Sequence, residues 1–280
     1  MRTVRDLGIG MLAVAVTATA AHAQLARTRG VELADLSWQE AEAVLTPDAV
    51  VVIALGAAAK EHGPHLRLDN DLRMAEYLKQ RVLAASNVIV APTITYHFYP
   101  SFLEYPGSTH LRFETARDVV VDIVSSLAGY GPRRFYVLNT GVSTLRPLAA
   151  AAAVLADQGI VLHYTNILEV AAEAEERVRE QEVGTHADEI ETSMMLYIAP
   201  ERVAMSKARK DASPREGQGG LTRVRGRPGV YSESGIWGDA TLATVEKGRV
   251  VVEATVTGVL RDLETLRETP VPAAGAGERR

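Results

Sequence analysis

Residues 60–71 read KEHGPHLRLDND, which puts His62 and His65 beside Glu61, Asp69 and Asp71 in one short stretch. Imidazole and carboxylate are the ligand types of zinc and of harder divalent cations, and a site needs several of them converging from loops on a rigid scaffold. Gly63-Pro64 turns the chain between the two histidines, so that side chains close in sequence can point to a common centre. The ordinary alternative is a hydrogen-bonded polar turn. A second cluster, THADEIETS at 185–193, holds His186, Asp188, Glu189 and Glu191 at the head of a helical pattern in which Met194, Met195 and Ile198 form the buried side. Carboxylates in a first helical turn commonly serve as caps or dipole partners, which accounts for one or two of these acids but not for His186. The chain has no cysteine, so any metal must be held by His, Asp and Glu, and thiolate or iron–sulfur chemistry is excluded.

Such groups need a frame. A β-branched run at 50–56 bounded by a turn and a glycine predicts a strand buried on both faces. Leu72, Ala75, Leu78 and Val82 recur at helical spacing and predict a helix over 71–83. Strands are expected at 87–96, 133–141 and 160–167, with helices at 114–131 and 143–159 between them, and a short first helix is expected after Ser37 as N-cap. Residues 168–183 form a charged helical pattern, and 207–229, rich in Gly, Arg and Lys, reads as an extended loop. Strands alternating with helices predict an α/β fold, a three-layer sandwich with a mostly parallel central sheet flanked by helices. Ligands bind such sheets at the carboxyl ends of the strands, so 57–71 and 140–144 are expected on one rim.

Arg2 and Arg5, an apolar stretch at 7–18 and Ala21-His22-Ala23 before Gln24 predict a signal peptide over 1–23 and a periplasmic or secreted protein. The apolar core of that segment is too short for a membrane span. One domain is expected over 30–267, followed by a disordered tail at 268–280 built from Pro, Ala and Gly. A net charge of −5 gives no basic footprint, which argues against nucleic acid as a partner. No Gly-rich phosphate loop is present, which argues against a nucleotide-binding protein.

Taken in order, His62-Gly63-Pro64-His65-Leu66 with Leu68 and Asp71, Tyr105-Pro106-Gly107-Ser108, Asn139 after the third expected strand, His186-Ala187 with Glu189 and Glu191-Thr192-Ser193, and SGIWGDATLATVEKG at 234–248 resemble the ordered motifs of the creatininase family of amidohydrolases. The resemblance spans nearly the whole chain after the expected signal. It implies a parallel sheet between helix layers and a homo-oligomer, often a hexamer. It also implies a one- or two-metal centre of zinc, manganese or iron that activates water against a carbon–nitrogen bond of a small or cyclic amide. On it, His62 maps to the imidazole ligand, Asp71 to the carboxylate that can bridge two metals, and Glu189 or Glu191 to a later acidic ligand.

Two departures matter. The family's metal-binding glutamate falls on Lys60, with Glu61 next to it in a loop one residue longer, and its NGHGGN segment reads NTGVST here, so a ligand histidine maps to Gly141. The expected metal set is therefore Glu61, His62, Asp71 and Glu189, with His186 and Glu191 as proton carriers and His97, Glu104, His110 and His186 as possible substitute ligands. The rival expectation is a family scaffold without metal that binds a small ligand or a protein partner at the same rim, with the Lys60 ammonium paired to Asp71 in place of a cation.

Overall fold

The computed structural model describes residues 29–274. The expected signal segment and the last six residues of the expected tail lie outside them. Five strands, β1 (Val31–Glu32), β2 (Val50–Leu55), β3 (Ile89–Ile94), β4 (Arg134–Asn139) and β5 (Val161–Tyr164), form a sheet in the order β1-β3-β2-β4-β5, and every pairing in it is parallel. All six residues of β2 are buried, which is why that stretch reads as a continuous apolar run. Its side chains nonetheless divide by the two-residue period of a strand. Val50 and Val52 enter one core with Met74, Leu78, Ile190, Met194, Val251 and Val259. Val51, Ile53 and Leu55 enter the other with Val120, Val124, Leu148 and Leu155.

Among the described residues seven α-helices surround the sheet: α1 (Trp38–Val44), α2 (Asn70–Ala85), α3 (Phe113–Ala128), α4 (Leu145–Ala156), α5 (Ala172–Val178), α6 (Glu189–Ile198) and α7 (Val245–Glu268). Helices α2, α6 and α7 carry the first core, α3 and α4 the second, so the molecule is the expected three-layer sandwich. Ser37 caps α1 with a reciprocal capping box to Glu40. The chain leaves β2 for β3 on one side and then crosses to β4 on the other, so the loops after β2, β3 and β4 meet at a switch point above the centre of the sheet.

One expectation changes. The region 207–229 is not an irregular loop: β6 (Lys210–Asp211) pairs with β10 (Gly238–Asp239), and β7 (Arg215–Glu216), β8 (Leu221–Thr222) and β9 (Gly229–Tyr231) form a second small sheet. Among the described residues no helix is long and apolar enough to cross a membrane. The expected tail begins where α7 ends, a helix of 24 residues that periodicity had not isolated.

Candidate active site

Leu55 ends β2 beneath the loop that carries the first cluster, and Lys60, Glu61, His62, His65, Asn70 and Asp71 are all buried there. Gly63 turns the loop at φ 70°, a left-handed conformation that favours glycine. Ser108 of the Tyr105-Pro106-Gly107-Ser108 turn accepts the Glu61 N–H at 3.0 Å, which ties that motif to the loop. Asp71 lies in the first turn of α2, and its two oxygens are taken separately. Oδ2 is 2.7 Å from the Lys60 ammonium and Oδ1 is 2.7 Å from Nε2 of His62. Burial opposes ionisation of Asp71, but the His62 ring and the Lys60 ammonium outweigh it and hold the carboxyl well below the usual range. The ammonium also lies over the rings of Phe102 and Tyr99, at 4.8 and 5.6 Å from their centroids.

The second cluster arrives from the other side of the fold. His186 forms an isolated antiparallel bridge with Trp237, and Ala187 follows with a φ of 48° before Asp188 caps α6. This places His186 between two carboxylates: Nε2 lies 3.2 Å from Oε2 of Glu61, and Nδ1 lies 3.6 Å from Oε2 of Glu191. Burial works against both charges of the Glu61–His186 pair. Their mutual attraction still holds the Glu61 carboxyl below its ordinary range and the His186 imidazolium above its own. The rings of His62 and His186 are 5.0 Å apart, so the two clusters make one buried network.

Of the six residues singled out, Glu61, His62, Asp71, His186 and Glu191 meet here. Glu189 does not: its carboxylate accepts from the backbone N–H groups of Glu180 and Gln181 and pairs with Lys247 of α7 at 2.5 Å, fully buried on the far side of α6. The other substitutes are also committed elsewhere. His97 bonds the Ala116 carbonyl, His110 accepts the Tyr99 N–H, and Glu104 holds Thr222 and the backbone of Arg223. His65 bonds Thr192 of α6 at 2.7 Å and links the two motifs; burial pushes its imidazole down to about 4, so it serves as a neutral strut. Asn139 folds the 140–144 turn through Gly141 and Thr144, and Gly141 supplies no donor to the network.

His62, His186 and Glu191 each offer one ligand atom, and the three atoms lie within 4.8 Å of one another. Two imidazoles and a carboxylate are the complement that three-ligand catalytic zinc sites use, leaving a coordination position open. The donor set thus fits one divalent cation. Both ring nitrogens of His62 already face oxygens, Asp71 at one and the Lys60 carbonyl at 3.0 Å from the other, so an ion must displace one contact to enter.

Above the network opens a cleft of about 870 Å³. Its walls come from the loops after β3 and β4 and from the 215–228 ribbon, so the region that sequence left unplaced closes one side of the cleft. Glu104 fastens that ribbon through Thr222, the Arg223 N–H and Arg227. Lys60 and residues 140–143 of the lining lie on the rim expected for them, whereas Phe98, Phe102, Arg146 and Trp237 were not found from sequence. The aromatic run HFYPSF at 97–102 is the one signal that pointed to any of these.

The comparisons with known proteins agree with this frame. The chain is 27% identical over 222 residues to the mycofactocin precursor peptide peptidase of Mycolicibacterium smegmatis, covering 75% of this chain and 82% of that one. It is 24% identical over 251 residues to the creatinine amidohydrolase of Pseudomonas putida, covering 83% and 95%. A solved structure described as "Creatininase Mn" superposes with a TM-score of 0.70 at 23% identity, over 84% of this chain and 98% of that one. A family model described as creatinine amidohydrolase matches residues 34–263, from just after β1 to within about a turn and a half of the end of α7, and so takes in both clusters and strands β2 to β5. With strand order, helix layers and motif sequence in accord, the chain belongs to the creatininase family of amidohydrolases.

Proposed function

We propose that this protein is an exported amidohydrolase that cleaves a carbon–nitrogen bond with one divalent metal ion at the floor of the cleft. The observation that carries the reading is the convergence of His62, His186 and Glu191 within 4.8 Å. Those three residues would hold the ion, and the solved relatives described with manganese and with a zinc pair support a divalent metal. When bound, it would supply Lewis-acid activation of water and of the scissile carbonyl. The protein's own residues do the rest. Asp71 orients the His62 ring through Nε2, as a carboxylate behind a ligand histidine does. Lys60 lines the cleft with a fixed positive charge that faces the oxyanion as it develops. Glu61 is the carboxylate against His186 that stays outside the donor set, so proton uptake from water and delivery to the departing nitrogen fall to it. The C–N bond breaks, a C–O bond forms, and the products are a carboxylate and an amine.

A second reading is favoured by the Lys60–Asp71 pair. With the Lys60 ammonium against Asp71, and His186 between Glu61 and Glu191, the charged groups close on one another without an added cation. On this reading the cleft is a binding site on a family scaffold. Elemental analysis of the chelator-free protein and of His62→Ala separates the two. About one equivalent of zinc, manganese or iron, lost in the variant, supports the hydrolase. No stoichiometric metal after incubation with those ions overturns it. Export is tested by the N-terminus of the protein recovered from the periplasm, expected at Gln24.

A further inference from the structure

The cleft is large for a small cyclic amide. At about 870 Å³ it lies toward the upper end of pockets that enclose ligands of drug size, roughly 300–1,000 Å³. Its walls are unevenly built. Phe98, Phe102, Leu168, Leu221 and Trp237 give it a broad apolar surface, and two exposed guanidinium groups at its edge, Arg146 and Arg215, have no carboxylate partner among the described residues. Most other charges in the lining are matched: Arg179 pairs with Glu175, Arg227 with Glu104, and His186 with Glu191. Two lining acids have no basic partner among the described residues: Asp188, which is buried and accepts from Gln181 and from the backbone N–H groups of Ile190 and Glu191, and Glu176, which is exposed on α5.

Arg146 and Arg215 differ in what they have left to offer. Arg215 lies over the Trp237 ring at 4.8 Å and donates to the Gly219 carbonyl, so it serves the ribbon that closes the cleft. Arg146 lies over the Phe113 ring at 5.7 Å, and no hydrogen bond or ion pair engages it among the described residues. A guanidinium resting its face on a ring keeps its edge N–H groups free for a planar, two-pronged acceptor. Phe113 packs edge-on against Phe98 of the lining, so the group that supports Arg146 is continuous with the apolar wall. Its charge does not serve the helix either, because a cation in the first turn of α4 meets the positive end of that helix.

We infer that the cleft takes an extended amide with an apolar body and a terminal carboxylate, a short peptide or an N-acyl amino acid, and that Arg146 binds the carboxylate. The inference rests on the amidohydrolase reading for turnover but not for binding. Arg146 is then a specificity-determining residue that touches substrate away from the reacting carbonyl, and its loss raises KM and leaves kcat near the parent value.

The test uses two pools of N-acetylated tripeptides of mixed apolar sequence, one ending in free carboxylate and one in carboxamide, with creatinine as the small cyclic amide. In the full mature protein the acid pool is expected to bind at least tenfold more tightly by calorimetry and to be cleaved with the higher kcat/KM. Arg146→Ala and Arg146→Gln should erase that preference by weakening the acids alone, and Arg146→Lys should restore part of it. Equal binding of the two pools, no binding of either, or equal losses for both in Arg146→Ala would overturn the inference. If creatinine is turned over and neither pool is, the amidohydrolase reading stands and the inference fails. If no amide is cleaved after zinc or manganese is supplied, but the acid preference in binding is present and needs Arg146, the inference stands and the hydrolase reading fails.

Discussion

Glu189 faces the seam between α6 and α7, where it is fully buried and taken by Lys247 and two backbone N–H groups. Glu191, two residues and roughly 200° further around the same helix, faces the cleft and stands beside His186 with its side chain 21% exposed. One carboxylate has every oxygen answered by the fold, and the other keeps capacity for something that is not protein. The contrast teaches that an acidic motif on a helix names a face only once the helix's neighbours are known. Burial alone would have ranked Glu189 as the better ligand.

That contrast can be broken from either side. The largest effect is expected on the cleft side: Glu191→Ala should lower amide turnover by at least about a hundredfold and remove bound metal, with a melting temperature within about 3 °C of the parent. Retained metal and turnover would deny Glu191 its place in the donor set. On the seam side, Lys247→Ala leaves Glu189 buried and short of its counter-ion, and urea unfolding should show a loss of about 3 kcal/mol with metal content unchanged. A variant that kept its stability and lost metal would reverse the assignment of the two acids.

A smaller effect comes from a group that belongs to neither side. His97 donates from Nε2 to the Ala116 carbonyl, and burial pushes its imidazole down from 6.5 to about 4. Between those values the unfolded chain binds the proton that the folded chain refuses. The stability involved is therefore fully present above pH 6.5 and is lost as pH falls toward 4, on the order of 3 kcal/mol, of which about 2 is gone by pH 5. Unfolding measured at pH 7.5 and 5 should show the drop, and His97→Gln should reduce the slope by about half, because His65 is pushed down over the same window; an unchanged slope would place the titration elsewhere. The smallest effect is expected at Gly235, where φ is 84° and an added Cβ would collide with the carboxylate of Glu61. Gly235→Ala should cost about 1 kcal/mol of stability and, by shifting Glu61 off His186, lower turnover with metal retained. Metal lost together with turnover would instead tie Glu61 to the donor set.

Much of this was legible before any coordinates. The run at 50–56 reads as a buried strand and Ser37 as the cap of a short helix because each depends on neighbours in the chain, and the Lys60–Asp71 pair is expected only if the scaffold holds no metal. What stayed hidden depends on distant neighbours. Helix α7 is rich in Val and Thr, residues whose branched side chains lower helix propensity, and it forms because Val251, Val252, Val256, Val259 and Leu263 pack on the sheet. The division of labour between Glu189 and Glu191 follows from where that helix docks. Nothing local told the 207–229 region to fold into ribbons; Glu104, over a hundred residues earlier, anchors it.

The hydrogen bond between His186 and Glu61 joins residues 125 positions apart. Closing so long a loop comes late, because contacts of high sequence separation repay their entropy only after the rest of the chain has been gathered in. The site is thus a clock for folding. If the proposed site takes up metal, uptake during refolding should trail the recovery of secondary structure.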